Sequence, residues 1–185
     1  MTDVKAAEVL AFWREAGLKK WFAHDEAFDA AIRDRFEPLH HAAARGELDG
    51  WAADAEGALA LLLVLDQFPR NLYRNSPHAF ATDPAARRVA RASVARGDHL
   101  AVEPAMRSFF VTPFEHSEDL ADQDFSVETA SALNGDDGGA NALGWATKHR
   151  EVIRRFGRFP HRNRALSRDS TPEEQAYLDA GGGFG

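Results

Sequence analysis

The sequence of 185 residues contains no cysteine. This absence excludes disulfides, thiolate metal ligands and cysteine nucleophiles, and it favours a reducing compartment, so we expect a cytoplasmic protein. Long apolar runs are also missing. The longest, at 58–65, is far shorter than the roughly 20 residues that a membrane-spanning helix needs. The N-terminal stretch carries frequent charges and lacks the apolar core of a secretion signal, so we expect no membrane partner.

Several catalytic signatures are missing as well. The sequence has no Walker loop, no Gly-x-Gly-x-x-Gly after a strand, no Gly-x-Ser-x-Gly elbow and no His-Glu-x-x-His. Nucleotide cofactors, serine-hydrolase chemistry and a catalytic zinc site therefore lack support. From the sequence we expect neither a cofactor nor a bound metal.

Strand signals are scarce, because β-branched residues never cluster and no Asn-Gly hairpin lies between alternating apolar runs. Helix signals recur instead, with apolar residues at helical spacing and capping residues, prolines or glycines at the segment ends. These patterns predict one all-α domain over residues 1–185, with about seven to nine helices and a short flexible Gly-rich tail at 181–185.

The helix boundaries are predicted from caps and breakers. Asp3 is expected to cap a first helix, and Asp25 a second one that Pro38 kinks or shortens. The apolar stretch at 54–67 predicts a central buried helix, stopped by Pro69. Further helices are expected over about 83–97, 104–113, 115–133, 140–156 and 171–181, the last opened by a capping box.

Charge is distributed unevenly along the chain. The 22 Lys and Arg against 29 Asp and Glu give a net charge of −7. Residues 148–168 hold eight basic residues and one acid, so this segment carries +7 and the remainder −14. An acidic body with one basic segment indicates internal ion pairing or a local anion site. We expect no nucleic-acid partner.

The basic segment alternates arginines with Phe156 and Phe159 around Gly157 and Pro160. The glycine and proline predict a rigid, non-helical turn that displays the arginines and His161. The planar guanidinium suits carboxylates and phosphates. An internal salt-bridge hub and an anion-binding site are therefore both open, whereas the net charge disfavours a nucleic-acid patch.

Two other histidines and one carboxylate stand out. Asp66 follows a leucine run, where a carboxylate is costly to desolvate unless it is paired, for example with Arg70. It either pins two helices together or forms one wall of a polar pocket. His149 shares a helix face with two aromatic residues, so it is either a core histidine with one hydrogen bond or an acid/base. The acids beside His116, including Glu115, are expected on a solvated helix face.

Four motifs carry a resemblance to a known family. They are LDQFPRNLYR at 65–74, AFATDPAA at 79–86, PFEHSED at 113–119 and RFGRFPHRN at 155–163. Through them the chain resembles, over nearly its whole length, the bacterial domain of unknown function 924 family. The resemblance implies a tetratricopeptide-like helical superhelix or bundle without an established activity. One departure is Ser167, where a glycine is expected before Arg168, and it is expected to alter how this arginine is presented.

We expect the end of the buried helix, the His116 segment and the basic turn to converge on one polar concavity that binds a small anionic ligand. If the site is catalytic, His116, His149 or His161 is the acid/base, because an unperturbed histidine titrates near neutral pH, and Asp66 orients it. The expected ligand-binding residues are Arg70, Asn71, Glu118, Arg158, Arg162, Asn163 and Arg168. The alternative is a non-catalytic interaction module, in which these polar residues form a structural network and a groove binds a protein partner.

Overall fold

The computed structural model describes residues 5–184, and within this range all regular elements are helical. Nine helices form a bundle, which confirms the all-α prediction and its range of seven to nine. They are α1 (Ala6–Ala16), α2 (Leu18–Trp21), α3 (Glu26–Ala44), α4 (Ala55–Leu62, continued by the π-helical turn Leu63–Gln67 and by Phe68–Leu72), α5 (Asp83–Arg96), α6 (Thr112–Glu115), α7 (Leu120–Ala132), α8 (Ala142–Phe156) and α9 (Pro172–Asp179). Short 3₁₀ turns lie at Asp49–Ala53, Pro77–Phe80, Asp98–Leu100, Pro104–Phe110 and Pro160–Arg162. None of the helices in the described part of the chain is long and apolar enough to cross a membrane.

Helix α4 lies at the centre of the main core, as its apolar sequence predicts. Residues 57–69 of this helix are all buried, and α1, α3 and α5 pack against it. Aromatic rings fill the space around its C-terminal half. The ring of Trp13 lies 5.7 Å from that of Phe68 and 5.6 Å from that of Phe109, and Phe36 lies 5.1 Å from Phe68. Large buried rings of this kind dominate the energetics of a core.

The short helix α6 joins this core to the second half of the chain. It contacts α5, α7 and α8, and α7 packs along α8. A small apolar cluster between these elements contains Val111, Ala130, Leu133, Ala142 and Ala146. Because α6 is covered on several sides, its side chains meet the end of α4 and the face of α8.

Pro69 does not stop α4, so the predicted end of the central helix is wrong. A proline in a helix removes the N–H that bonds to the carbonyl four residues earlier, here that of Leu65. The hydroxyl of Thr82 donates to this carbonyl at 2.5 Å instead. The π-helical turn ends at Gln67, where the N–H of Phe68 donates to the carbonyl of Leu63, and the helix continues to Leu72.

The other predicted boundaries depend on local caps. The side chain of Asp25 accepts hydrogen bonds from two backbone N–H groups at the start of α3, which confirms it as the cap. Helix α3 continues through Pro38, so this proline does not shorten it. The capping box of Thr171 and Glu174 opens α9 as predicted. The proposed cap Asp3 lies outside the described residues.

Candidate functional site

The π-helical turn of α4 presents Asp66 to α6. The side chain of Asp66 is 1% exposed, and its Oδ1 lies 2.7 Å from Nδ1 of His116. Its Oδ2 accepts hydrogen bonds from Gln67 Nε2 at 2.6 Å and from Thr112 Oγ1 at 3.2 Å. Both carboxylate oxygens are thus held, and the predicted convergence of Asp66 with His116 is observed. Single π turns inside α-helices frequently lie at functional sites.

Burial and the charge of Arg70 affect the protonation states of Asp66 and His116. Burial acts to raise the pKa of Asp66, but His116 and Arg70 outweigh it and hold the pKa below its usual range. For His116, burial and the charge of Arg70 lower the pKa below its usual value. Near neutral pH the carboxylate is ionised and the imidazole neutral. Because an ionised carboxylate only accepts hydrogen bonds, Nδ1 of His116 donates and Nε2 holds the lone pair.

Two arginines connect this pair to α5 and to the basic turn. Arg70 donates through Nη1 to the carbonyl of Asp66 at 2.6 Å, and its two Nη atoms donate to the carboxylate of Asp83 at 3.0 Å each. Such bidentate pairing fixes the guanidinium plane. Arg162 donates through Nη1 to the carbonyl of His116 at 2.9 Å and lies 3.8 Å from Asp83. Through Arg162, the basic turn therefore contacts the pair of Asp66 and His116.

The buried side chain of Arg162 is only partly hydrogen-bonded. The residue is 6% exposed, and its Cζ lies 4.6 Å and 4.5 Å from the ring centroids of Phe80 and Phe159. Its Nε is buried and forms no hydrogen bond with the part of the chain that the structure describes. Burial and the charge of Arg70 lower the pKa of Arg162 to about 10, so it stays charged near neutral pH. A buried donor without a partner costs about 1–3 kcal/mol, so the unpaired Nε of Arg162 is an exception among buried polar groups.

His149 and His161 lie beside the cluster that Asp66, His116, Arg70 and Arg162 form. The ring of His149 lies 6.1 Å from that of His116, and its Nδ1 donates to the carbonyl of Trp145 at 2.9 Å. Nδ1 of His161 is buried and has no hydrogen-bond partner within residues 5–184. Burial lowers the pKa of both imidazoles to about 3. Both are neutral near neutral pH, and of the three predicted acid/base histidines His116 has the orienting carboxylate.

Glu115 was expected on a solvated helix face, but it is buried. The pattern suggested one helix from about 115 to 133, whereas α6 ends here and α7 begins at Leu120. Packing of α6 against α8 places the carboxyl of Glu115 3.7 Å from Nδ1 of His149. Burial and the negative charge of Asp66 raise the pKa of Glu115 to about 8. The side chain is therefore a neutral acid in the cluster near neutral pH.

Four of the predicted ligand-binding residues form an outer network around the basic turn. Arg168 donates through its two Nη atoms to the carboxylate of Glu118 at 2.7 and 2.9 Å, and through Nε to Asn163 at 3.0 Å. Arg158 donates to the carboxylate of Glu174 at 2.6 and 2.7 Å. Asn163 donates to Glu174 at 3.3 Å. These contacts tie the basic turn to α9 and to the loop before α7.

Asn71 lies away from the cluster, on the α3 side of α4. It donates to Oδ1 of Asp29 at 2.7 Å, and Arg74 donates to the same carboxylate at 2.6 and 2.9 Å. These residues line a separate polar cavity of about 270 Å³. The predicted grouping of Asn71 with His116 is therefore not observed.

Ser167 adopts a left-handed conformation, with φ of +54°. This is the position where the resemblance leads us to expect glycine, and glycine adopts such a conformation without strain. Arg168 nonetheless reaches Glu118 with both Nη atoms. The serine thus strains the backbone while the arginine keeps its pairing.

The charges of the inner cluster balance. Two carboxylates, Asp66 and Asp83, face two guanidiniums, Arg70 and Arg162, while Glu115 and the three imidazoles are neutral near neutral pH. No group of three or more His, Asp or Glu side chains among residues 5–184 is arranged to hold a metal ion. The arrangement offers an oriented neutral imidazole beside a buried guanidinium whose Nε has no partner in the described part of the chain. The sequence indicated Asp83 only as the start of a helix, so its pairing with Arg70 was not predicted.

A family model of bacterial proteins of unknown function, DUF924, matches residues 9–182. Among solved structures, the protein of unknown function ATU0120 from Agrobacterium tumefaciens is 48% identical in sequence. Its structure matches with a TM-score of 0.89, and the match covers 95% of this chain and 97% of that chain. No curated protein matches the chain. The resemblance inferred from the four motifs is confirmed, and the chain belongs to the DUF924 family of bacterial proteins of unknown function.

Proposed function

We propose that the cluster around Asp66 and His116 binds a small anionic ligand and that His116 acts on it as a general base. The 2.7 Å contact between Asp66 and Nδ1 of His116 carries this proposal. An ionised carboxylate in this position fixes the tautomer and the orientation of the imidazole, and it leaves the lone pair on Nε2. Aspartate and histidine pairs of this kind take protons in many hydrolytic enzymes.

We assign the binding of the anion to Arg162. This guanidinium is charged and buried, and its Nε has no partner among the described residues. The cluster also reaches the protein surface, since the side chains of His116 and Arg70 are 15% and 20% exposed. Arg70 has both Nη atoms on Asp83, so it holds the site together rather than the ligand.

The alternative function is an interaction module in which the polar motifs are a structural network and a groove binds a protein partner. The outer network of Arg158, Glu118, Asn163 and Arg168 fits that description, because its charged groups are paired with one another or with Glu174. The inner cluster does not fit as well. A purely structural network pairs its buried donors, whereas Nε of Arg162 in the inner cluster has no partner among the described residues.

Titration of the purified protein with acetate and with inorganic phosphate tests the proposal. Arg162→Lys keeps the positive charge but loses the Nε donor and the planar fork, so the affinity should fall by about tenfold or more. An anion beside His116 raises its pKa, so binding to the unaltered protein should take up a fraction of a proton. Calorimetry in buffers of different ionisation enthalpy measures this uptake, which His116→Gln should abolish.

Arg155→Ala is the matched control, because this arginine is half-exposed on α8 and pairs with the exposed Glu173. It should leave both the affinity and the proton uptake unchanged. Absence of acetate and phosphate binding in the unaltered protein contradicts the proposal. Equal affinities of the unaltered protein and the Arg162→Lys variant do so too.

A further inference from the structure

The C-terminal segment Gly181–Phe184 covers the histidine side of the candidate site. The ring of Phe184 stacks on the imidazole of His149, with centroids 3.8 Å apart and planes inclined by 16°. The rings of Phe159 and His161 both stand at 87° to it, with centroids 6.0 Å and 5.7 Å away. One parallel and two perpendicular rings thus form a slot that holds a single planar ring, in the geometries that aromatic pairs favour.

Glycine residues allow the segment to reach this slot. At Gly183 φ is +132°, and a Cβ there would lie 3.1 Å from Cβ of His161. At Gly182 a Cβ would lie 2.5 Å from ring atoms of Tyr177. The backbone therefore packs directly against these two side chains, and any residue larger than glycine disturbs the fit.

The slot is continuous with the unpartnered groups of the site. His161 forms one wall of the slot, and its Nδ1 is buried without a partner among the described residues. Phe159 forms another wall, and the guanidinium of Arg162 lies on its ring at 4.5 Å. One unpartnered nitrogen thus belongs to a wall of the slot, and the other belongs to a side chain that stacks on a wall of the slot.

We infer that this slot is the ring subsite of the proposed anion site, and that the ligand is a small planar aromatic carboxylate that displaces Phe184. Nε of Arg162 and, in the Nδ1–H tautomer, Nδ1 of His161 are two donors that match in number the two oxygens of a carboxylate, whereas a phosphate monoester offers more acceptors than these. Phe184 is only partly buried, at the edge of a small apolar cluster, and the three glycines that precede it after α9 give its backbone freedom to move. The inference rests on the proposed function, because it assigns a ligand class to the same site.

Binding of benzoate, acetate and cyclohexanecarboxylate to three variants tests the inference. Phe184→Ala removes the ring that occupies the slot, and Gly183→Ala keeps that ring but strains the segment that holds it. Phe22→Ala is the control, because Phe22 is 53% exposed and stacks on Phe109 in another part of the bundle. A subsite that is closed most of the time binds more tightly when the closed state is destabilised, in proportion to the open fraction.

Both Phe184→Ala and Gly183→Ala should bind benzoate about tenfold more tightly than the unaltered protein, while acetate affinity stays within about twofold. The bent ring of cyclohexanecarboxylate should gain less than about threefold, because it does not stack on His149. Benzoate added to the unaltered protein should also increase deuterium uptake at Gly183 and Phe184, and acetate should not.

Three results overturn the inference. A benzoate gain in Phe184→Ala alone means that the substitution created a simple cavity. An equal gain for acetate means that the segment shields the site without recognising a ring, and an equal gain in Phe22→Ala means that the effect is not local. If acetate binds and Arg162→Lys weakens it in these cases, the proposed function stands. If none of the three anions binds to any variant, both proposals fail.

Discussion

Replacing Glu115 by glutamine is expected to change how the stability of the protein depends on pH. In the folded protein burial and the charge of Asp66 raise the pKa of Glu115 to about 8, from a usual value of 4.5. At pH values between 4.5 and about 8, the Glu115 carboxyl therefore binds one more proton in the folded state than in the unfolded state. The free energy of unfolding therefore falls as the pH rises, by about 1.4 kcal/mol per pH unit.

Buried histidines act in the opposite direction at lower pH. Burial lowers the pKa of His149 and His161 to about 3, from a usual value of 6.5, and it lowers the pKa of His116 as well. Below pH 6.5 the unfolded state binds more protons at these residues, so stability rises with pH up to that point. Because an imidazole with a pKa of 6.5 is still half protonated at that pH in the unfolded state, the gain continues to about pH 7, above which the effect of Glu115 dominates. The stability curve should therefore have its maximum near pH 7 and fall by about 1 kcal/mol between pH 7 and 9.

Urea denaturation at a series of pH values, followed by the fluorescence of the four tryptophans, measures this curve. Glu115→Gln should remove the decline above pH 7, and its stability relative to the unaltered protein should improve by about 2 kcal/mol between pH 6.5 and 8, because the histidine contribution is the same in both proteins. Glu128→Gln is the control, because Glu128 is exposed on α7 and should leave the decline in place. If the unaltered protein shows no decline, or if Glu115→Gln keeps it, Glu115 is ionised in the fold and the reasoning is wrong.

Three further predictions use the same denaturation assay. Ser167→Gly should stabilise the protein by about 1 kcal/mol, because it relieves the left-handed strain. Arg168→Ala should destabilise it by about 2–3 kcal/mol, since it strands the half-buried Glu118, whereas Arg155→Ala should change it by less than about 0.5 kcal/mol. Thr82→Val should cost about 1–2 kcal/mol, because it leaves the carbonyl freed by the proline without a donor.

Helix boundaries were predictable where the cap is local. Asp25 and Thr171 bond to backbone groups two or three residues away, so their sequence neighbourhoods contain the whole interaction. Pro69 was read wrongly, because the group that compensates for it is Thr82, 17 residues from the carbonyl that it bonds. A pattern of propensities contains no information on such a distant donor.

The inner cluster was predictable in part, because a carboxylate beside a leucine run needs a partner wherever the chain provides one. That argument identified Asp66 and Arg70, and the histidine at the end of α6 was identified by its chemistry. The burial of Glu115 was not predictable in the same way. A carboxyl on a polar-looking segment is buried only if another element covers it, and the packing of α6 against α8 decides this.

The proposed ligand site and the structural network involve different residues of the basic segment. The outer network holds the turn through Arg168 and Glu118, and Glu118 also accepts the backbone N–H of Phe159 at 2.8 Å. This turn carries Arg162 into the inner cluster, so the network positions the proposed anion donor. Arg168→Ala should therefore lower stability and anion affinity together, whereas Arg162→Lys should lower mainly the affinity. Measuring both properties on both variants separates a residue that holds the fold from one that holds the ligand, which neither property does alone.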